Sequence, residues 1–427
     1  MKKIAGYVSE LIKTILFIGF SIQIILGIIW MCFNFSHAQL FSVSGGPLYI
    51  PVEKVGKAVY PLLYLLQLAV AALADYYFVR LWWGNRRLLN IWGALCLLTS
   101  PLVLQCHLAV SPFSLVCSLL LLELTFSIHY IRRSEWELSA LCSACGCWLM
   151  LSLLRPEYLL LGALPILFAV VFKVFARQKS KKKLLRGALV LVAFWGIAWG
   201  TLSLSGQESV YSRKNIAFCT FSRAVWPTLW QDSLVLWQPE DVPGLTVEIL
   251  QQAAEQVEDL RIVVKPMIEE ALTEEEAIDF YYLKASGCWI LRKKSLLLRC
   301  IKDFAGYLLP PVFLSVQLDG RGGETYSGRN YEMMISAHPK WTKEYVSYGC
   351  WWFTTALVLT CILAVNLLMM GRMREIPFVP LGLFVILGCV LALAYTFRGA
   401  GMLDYKCTAV VMVLWQSLPL ATMGKEV

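Results

Sequence analysis

Charge is what this sequence holds least of. Charged residues make up 16% of its 427 positions, where soluble chains average about 25%; that shortfall excludes an ordinary soluble enzyme. Histidine is scarcer still, with four in the whole sequence, so a His-rich metal site would have to draw on nearly all of them. Acids are thin near the start: from Asn34 to Lys57 there is no Asp and a single Glu, Glu53. There is no internal repeat, no low-complexity tract and no basic stripe in a soluble setting. The last absence removes nucleic acid as a partner, in spite of a formal net charge of +9.

Disulfide patterning is also lacking. Of the 14 cysteines, most fall inside apolar segments, where Cys behaves as a small hydrophobe. Cys142, Cys145 and Cys147 have metal-like spacing but sit among Ser143, Ala144 and Gly146, a small-residue run suited to close helix packing. Lys2, Lys3 and Lys13 before an apolar stretch imitate a signal peptide, yet no small-residue cleavage site follows. That stretch reads as a retained first helix.

What is present is apolar length. Hydrophobic residues reach 58% and mean hydropathy is +0.63, and repeated runs of roughly 20 residues suffice to cross a hydrocarbon core about 30 Å thick. Hydropathy and helix breakers predict an all-α polytopic membrane protein of about ten transmembrane helices, at 13–33, 59–82, 88–106, 110–131, 138–154, 158–176, 186–205, 347–370, 377–397 and 404–423. This organises the chain as a seven-helix core over 1–205, one large and mainly helical extracytoplasmic loop domain over 206–346, and a three-helix segment over 347–427. Basic residues gather at alternate turns, around Lys13, Arg86, Arg133, Lys182, Arg372 and Lys425, while the other short loops hold only Lys54, Lys57, Arg155, Arg398 and Lys406. The positive-inside rule then places both termini in the cytoplasm and the large loop outside, with the plasma membrane as the location.

The large loop has three textures. Trp226, Trp230 and Trp237 mark an irregular aromatic stretch, and from Glu240 to Asp279 twelve carboxylates face only Arg261 and Lys265, most simply a solvated face. Within it, Ile249, Ala253, Val257 and Leu260 read as an amphipathic helix, and Thr273 with Glu276 reads as the capping box of another. From Trp289 to Leu309 apolar and basic residues alternate in the manner of a helix lying in the interface plane, ended by Pro310 and Pro311.

In such a chain, informative residues are polar groups that burial makes expensive and basic groups on the wrong side. Arg155 lies outside by this topology, in Leu154-Arg155-Pro156-Glu157-Tyr158. Its guanidinium either meets an anionic headgroup or pairs locally with Glu157. Arg398-Gly399-Ala400-Gly401 leading to Asp404 and Lys406 is either a phosphate-approaching backbone or a plain turn. His37, His107 and His338 fall outside and could join Glu53 at a metal, though nothing fixes their spacing. Asp75 and Glu123 lie within spans and need partners or protons; Arg80 is within reach of Asp75.

Ser111-Pro112-Phe113-Ser114 leading into a Leu-rich span, a basic turn at Arg132-Arg133, a small-residue span and then Leu154-Arg155-Pro156-Glu157-Tyr158 resemble the core of GT-C glycosyltransferases, the group that includes protein O-mannosyltransferases and lipid A aminoarabinose transferases. The resemblance covers about 10–205 by pattern and the rest by layout. It implies transfer of a sugar from a polyprenyl-phosphate donor to a saccharide, lipid or protein acceptor at the outer face of the membrane, a cell-envelope reaction that requires no cofactor and leaves a divalent metal open. In that family an acid of the first outer loop is the usual catalytic base, which here leaves Glu53. Arg155, Arg398 and Lys406 are the candidates for the donor phosphate, with His37, His107, Glu157, His338 and Asp404 as further outer-face candidates. The alternatives are a transporter or flippase for a lipid-linked saccharide, or a non-catalytic assembly subunit on the same scaffold, which the missing first-loop Asp favours.

Overall fold

The computed structural model describes residues 2–34, 59–108, 111–132, 138–176, 181–205, 212–229, 242, 264–311, 340–372, 378–398 and 405–424. Among these there is no strand. The helices are α1 (Lys2–Asn34), α2 (Tyr60–Trp83), α3 (Arg87–Leu98), α4 (Pro101–His107), α5 (Pro112–Arg132), α6 (Leu138–Leu154), α7 (Tyr158–Leu161), α8 (Ala163–Ala176), α9 (Lys181–Leu204), α10 (Arg213–Leu229), α11 (Val264–Ala271), α12 (Glu274–Leu308), α13 (Thr342–Met369), α14 (Phe378–Arg398) and α15 (Tyr405–Met423).

Six of them, α1, α2, α5, α9, α13 and α15, are long and apolar enough to cross a membrane, which makes this a helical multi-pass membrane protein. Helices α3 and α4 qualify together as a seventh, but bent by 83°. The span expected over 88–106 is therefore a broken one. Three further apolar helices, over Leu138–Leu154, Tyr158–Val174 and Leu381–Phe397, are shorter.

The chain divides into two compact units. One comprises residues 1–207, 337–390 and 409–427, the other 208–336 and 391–408. In the first, α5 packs against α2, α6 and α8, and α1 runs against α13. The α1–α13 contact is close because Gly19 lies under the Trp352 ring, where a Cβ would collide. Side chains then clamp the pair along its length. Trp30 stacks on Tyr345 at 5.3 Å and donates to Thr342 Oγ1 at 2.9 Å, while Asn366 donates to Ser9 Oγ at 2.8 Å. Such interhelical bonds contribute about 0.6 kcal/mol each in a bilayer, so here they set register more than depth of stability.

The bend between α3 and α4 has a chemical cause. Pro101 has no N–H to give Leu97, and the residue before a proline is driven out of the helical region; Ser100 sits at φ −62°, ψ 128°. Backbone carbonyls released at such a break cannot be left bare in hydrocarbon. Gln23 of α1 donates to Cys96 O at 2.8 Å, and Tyr345 of α13 donates to Thr99 O at 2.5 Å. Gly349 lies against Pro101 so closely that a Cβ has no room.

In the second unit α10 packs along α12, with α11 beside it. Phe218, Phe221, Ile268, Ile278 and Tyr281 form its buried core. Helix α12 opens on the expected capping box: Thr273 N donates to Glu276 Oε2 at 2.9 Å, and Glu276 N to Thr273 Oγ1 at 3.5 Å. The helix breaks at Arg292, at φ −129° and ψ 29°, near the start of the stretch from Trp289 to Leu309 read from sequence as an interfacial helix.

Candidate functional site

Among the described residues of the first unit, the break between α6 and α7 holds a buried ion pair. Leu154 ends α6, and Pro156, which cannot continue the hydrogen-bond ladder, turns the chain through Arg155-Pro156-Glu157. Arg155 N still bonds Leu151 O at 2.9 Å, and Tyr158 N bonds Arg155 O at 2.9 Å, so the turn is tight. Trp148 braces it from α6 by donating to Tyr158 O and Leu159 O, each at 3.2 Å.

Within this turn Arg155 Nε donates to Glu157 Oε1 at 2.7 Å, and the two side chains are 5% and 3% exposed. The local pairing with Glu157 is thus present in the structure. The guanidinium is a buried partner of Glu157 rather than a solvated anchor, and this bond uses one donor of a fork that carries several, so the pairing does not exclude a ligand that enters the turn. The other face of the guanidinium lies over the Phe113 ring, 4.6 Å from the centroid, a cation–π contact whose strength grows when desolvated. Next to Phe113, Ser114 Oγ lies 2.8 Å from His107 Nδ1, both buried. Thus α4, α5 and the α6–α7 turn hold two buried pairs, His107 with Ser114 and Arg155 with Glu157, which adjoin through the consecutive residues Phe113 and Ser114 of α5. Chemically they present a pre-oriented guanidinium, a carboxylate and an imidazole in low-dielectric surroundings, the equipment for holding an anion or moving a proton.

The remaining sequence candidates distribute differently. Lys406 is buried at the start of α15, in the second unit. Arg398 is the last residue of α14. Glu53, His37, His338 and Asp404 lie outside the described residues, as does most of the acidic stretch from Glu240 to Arg261. Among the described residues no three His, Cys, Asp or Glu side chains are placed to hold a metal ion, and the Cys142, Cys145 and Cys147 group is part of that statement.

Asp75 and Arg80 are not a pair. Arg80 donates to Asn85 Oδ1 at 2.9 Å, because Asn85 sits in the turn just past the end of α2 and nearer the solvent. Asp75 Oδ2 and both Glu123 carboxyl oxygens are buried with no hydrogen-bond partner among the described residues.

One constellation escaped the sequence entirely. In the second unit Arg223 of α10 donates to Asp303 Oδ2 of α12 at 2.8 Å, to Thr396 O of α14 at 2.5 Å and to Cys300 Sγ at 3.2 Å. Arg299 approaches the same carboxylate at 3.6 Å. Burial works to lower the Arg223 guanidinium, but Asp303 and the hydrogen bonds to it and Cys300 raise it above its ordinary value. Burial likewise pushes the Asp303 carboxyl up, opposed by Arg299, Arg223 and Lys302. The net effect leaves the Asp303 carboxyl above its ordinary value, with burial outweighing the two guanidinium groups. The only signal available beforehand was a lone Arg in an otherwise apolar stretch, Phe221-Ser222-Arg223-Ala224-Val225.

No family model, no curated protein and no solved structure matches this chain.

Proposed function

We propose that this protein is a membrane glycosyltransferase of the GT-C kind, moving a sugar from a polyprenyl-phosphate donor to an acceptor at the outer face. One observation supports it above the others. The two segments on which the resemblance rests, Ser111–Ser114 and Leu154–Tyr158, are about 40 residues apart in sequence, and they meet through the Arg155 guanidinium on the Phe113 ring. In this reading Glu157 orients Arg155, and Arg155 exchanges part of that bond for the donor phosphate, for which a planar fork of donors is suited. Arg398 and Lys406 are further phosphate candidates. Glu53, the one acid of the first outer loop, is the base that takes the proton from the acceptor hydroxyl. The topology that goes with this has both termini in the cytoplasm of a plasma-membrane protein and residues 206–346 outside.

The test is incubation of the full-length protein in bilayer nanodiscs with a panel of radiolabelled polyprenyl-phosphate sugars and water or candidate acceptors. Transfer or donor hydrolysis is expected for at least one sugar. Glu53→Gln keeps size and removes the base, so turnover should fall by roughly 10²–10⁴ with little change in donor affinity. A wild-type protein that consumes no donor overturns the proposal. The second reading, a transporter for a lipid-linked saccharide, is favoured by Asp75 and Glu123, acids buried in the adjoining helices α2 and α5, since intramembrane acids mark ion and substrate paths. It predicts movement of an intact lipid-linked sugar across a vesicle bilayer without cleavage.

A further inference from the structure

At the other kind of membrane boundary, where the basic turns gather, the first unit has a cavity of about 210 Å³ lined by Lys13 and Phe17 of α1, Trp83 of α2, Arg86 before α3, Trp92 of α3 and Met423 of α15. A single water requires only roughly 10–15 Å³, so this is space for something larger. Three of the lining rings form one wall. Phe17 stacks on Trp92 at 4.4 Å and 19°, and Trp92 stacks on Trp83 at 5.7 Å and 24°. Trp92 is fixed in place by donating to Ser21 Oγ at 3.0 Å.

The two cations are held at the rim of that wall for different reasons. Arg86 follows the turn at Gly84, whose φ of 63° favours glycine and whose carbonyl accepts from Asn90 Nδ2 at 2.8 Å. Its neighbour Arg80 is engaged by Asn85, and Arg86 itself makes no ion pair among the described residues. Lys13 donates to Glu10 at 3.2 Å, using one of the three hydrogens of its ammonium group. An aromatic wall with two cations at its edge, at the ends of membrane-crossing helices, is the composition of the headgroup level of a bilayer. A phosphate diester seated between the cations would place its glycerol and first methylenes on the rings.

We propose that this cavity binds one anionic glycerophospholipid of the cytoplasmic leaflet, its phosphate between Lys13 and Arg86 and its glycerol against Trp83, Trp92 and Phe17. The site carries no reacting group and does not rest on the glycosyltransferase reading. Anionic headgroups are preferred because a choline ammonium would face two like charges. The membrane-bound lipid, not free phosphate, is the ligand, because the larger part of the wall is apolar.

The experiment is native mass spectrometry of the full-length protein in detergent, titrated with phosphatidylglycerol, phosphatidylcholine or inorganic phosphate. Phosphatidylglycerol should be retained at one copy well below the concentration at which phosphatidylcholine is. Lys13→Gln with Arg86→Gln should weaken that first binding event by about tenfold or more, and Lys13→Arg with Arg86→Lys should restore it. Arg186→Gln with Arg372→Gln removes equal charge from other basic turns and should leave it unchanged. Equal retention of phosphatidylcholine, equal binding of inorganic phosphate, or an equal loss in the Arg186/Arg372 variant overturns the proposal. Monodisperse elution of each variant with unchanged helical circular dichroism separates lost binding from lost fold.

Discussion

Among the described residues each compact unit contains a buried arginine–carboxylate pair, Arg155–Glu157 in one and Arg223–Asp303 in the other, and the two differ in how much chain they close. Arg155 and Glu157 are two residues apart on one turn. Arg223 and Asp303 are 80 apart and tie α10 to α12. Loop-closure entropy grows by about 0.6 kcal/mol per doubling of length, so the longer closure costs about 3 kcal/mol more. The structure answers with more acceptors. Arg223 reaches Thr396 O and Cys300 as well as Asp303, and Asp303 draws on Arg299, whereas Arg155 has its carboxylate at hand and adds the Phe113 ring. A short-range pair shapes a turn; a long-range pair assembles helices.

Substitutions at and beyond the two pairs sharpen that contrast. Arg223→Ala removes the hydrogen bonds from α10 to Asp303 and Cys300 of α12 and to Thr396 of α14 and strands a buried Asp303, so it should cost about 3–5 kcal/mol in an SDS-titration unfolding curve of the micellar protein. Arg155→Ala should fall at the lower end of that range, about 3 kcal/mol, since Glu157 sits on a turn that can relax. Replacing both residues, Arg155→Met with Glu157→Leu, should recover most of it. If Arg155→Ala proves the costlier single change, the distinction between shaping and assembling fails. Gly349→Ala, which pushes a methyl into Pro101, should cost about 1–3 kcal/mol by overpacking, and its readout is the same curve. Smallest is Thr273→Ala, about 1 kcal/mol for a lost N-cap. The Thr273 hydroxyl and N–H hold Glu276 below its ordinary carboxylate value. That bond's contribution is therefore complete above the unfolded-chain value and is lost as pH falls through the lowered one. Amide exchange in the first turn of α12 should accelerate with acid beyond its intrinsic pH trend in the parent, and lose that extra acceleration in Glu276→Gln.

What could be read from sequence follows the same division by range. The Thr273–Glu276 cap and the Arg155–Glu157 alternative were visible because three and two residues separate their members. Apolar length marked the long helices for the same local reason. The 83° bend carried a signal too, Ser100-Pro101 inside an apolar run, but hydropathy averages across it. Arg80 turned to Asn85 rather than Asp75 because solvent access, which spacing does not encode, decides where a guanidinium points. Nothing local links Arg223 to Asp303, or Phe113 to Arg155; those meetings depend on how whole helices pack.

The bend between α3 and α4 also has a schedule. Thr99 O is received by Tyr345, 246 residues later in the chain, and Pro101 is covered by Gly349. At about 5–20 residues per second of synthesis, roughly 12–50 s separate the emergence of the bend from that of the residues that close it. During that interval Gln23 of α1 is already in the chain to serve Cys96 O, while Thr99 O has yet to meet Tyr345. A break made early in the chain thus waits for groups that are made late, and truncation before Tyr345 leaves Thr99 O and Pro101 without these partners.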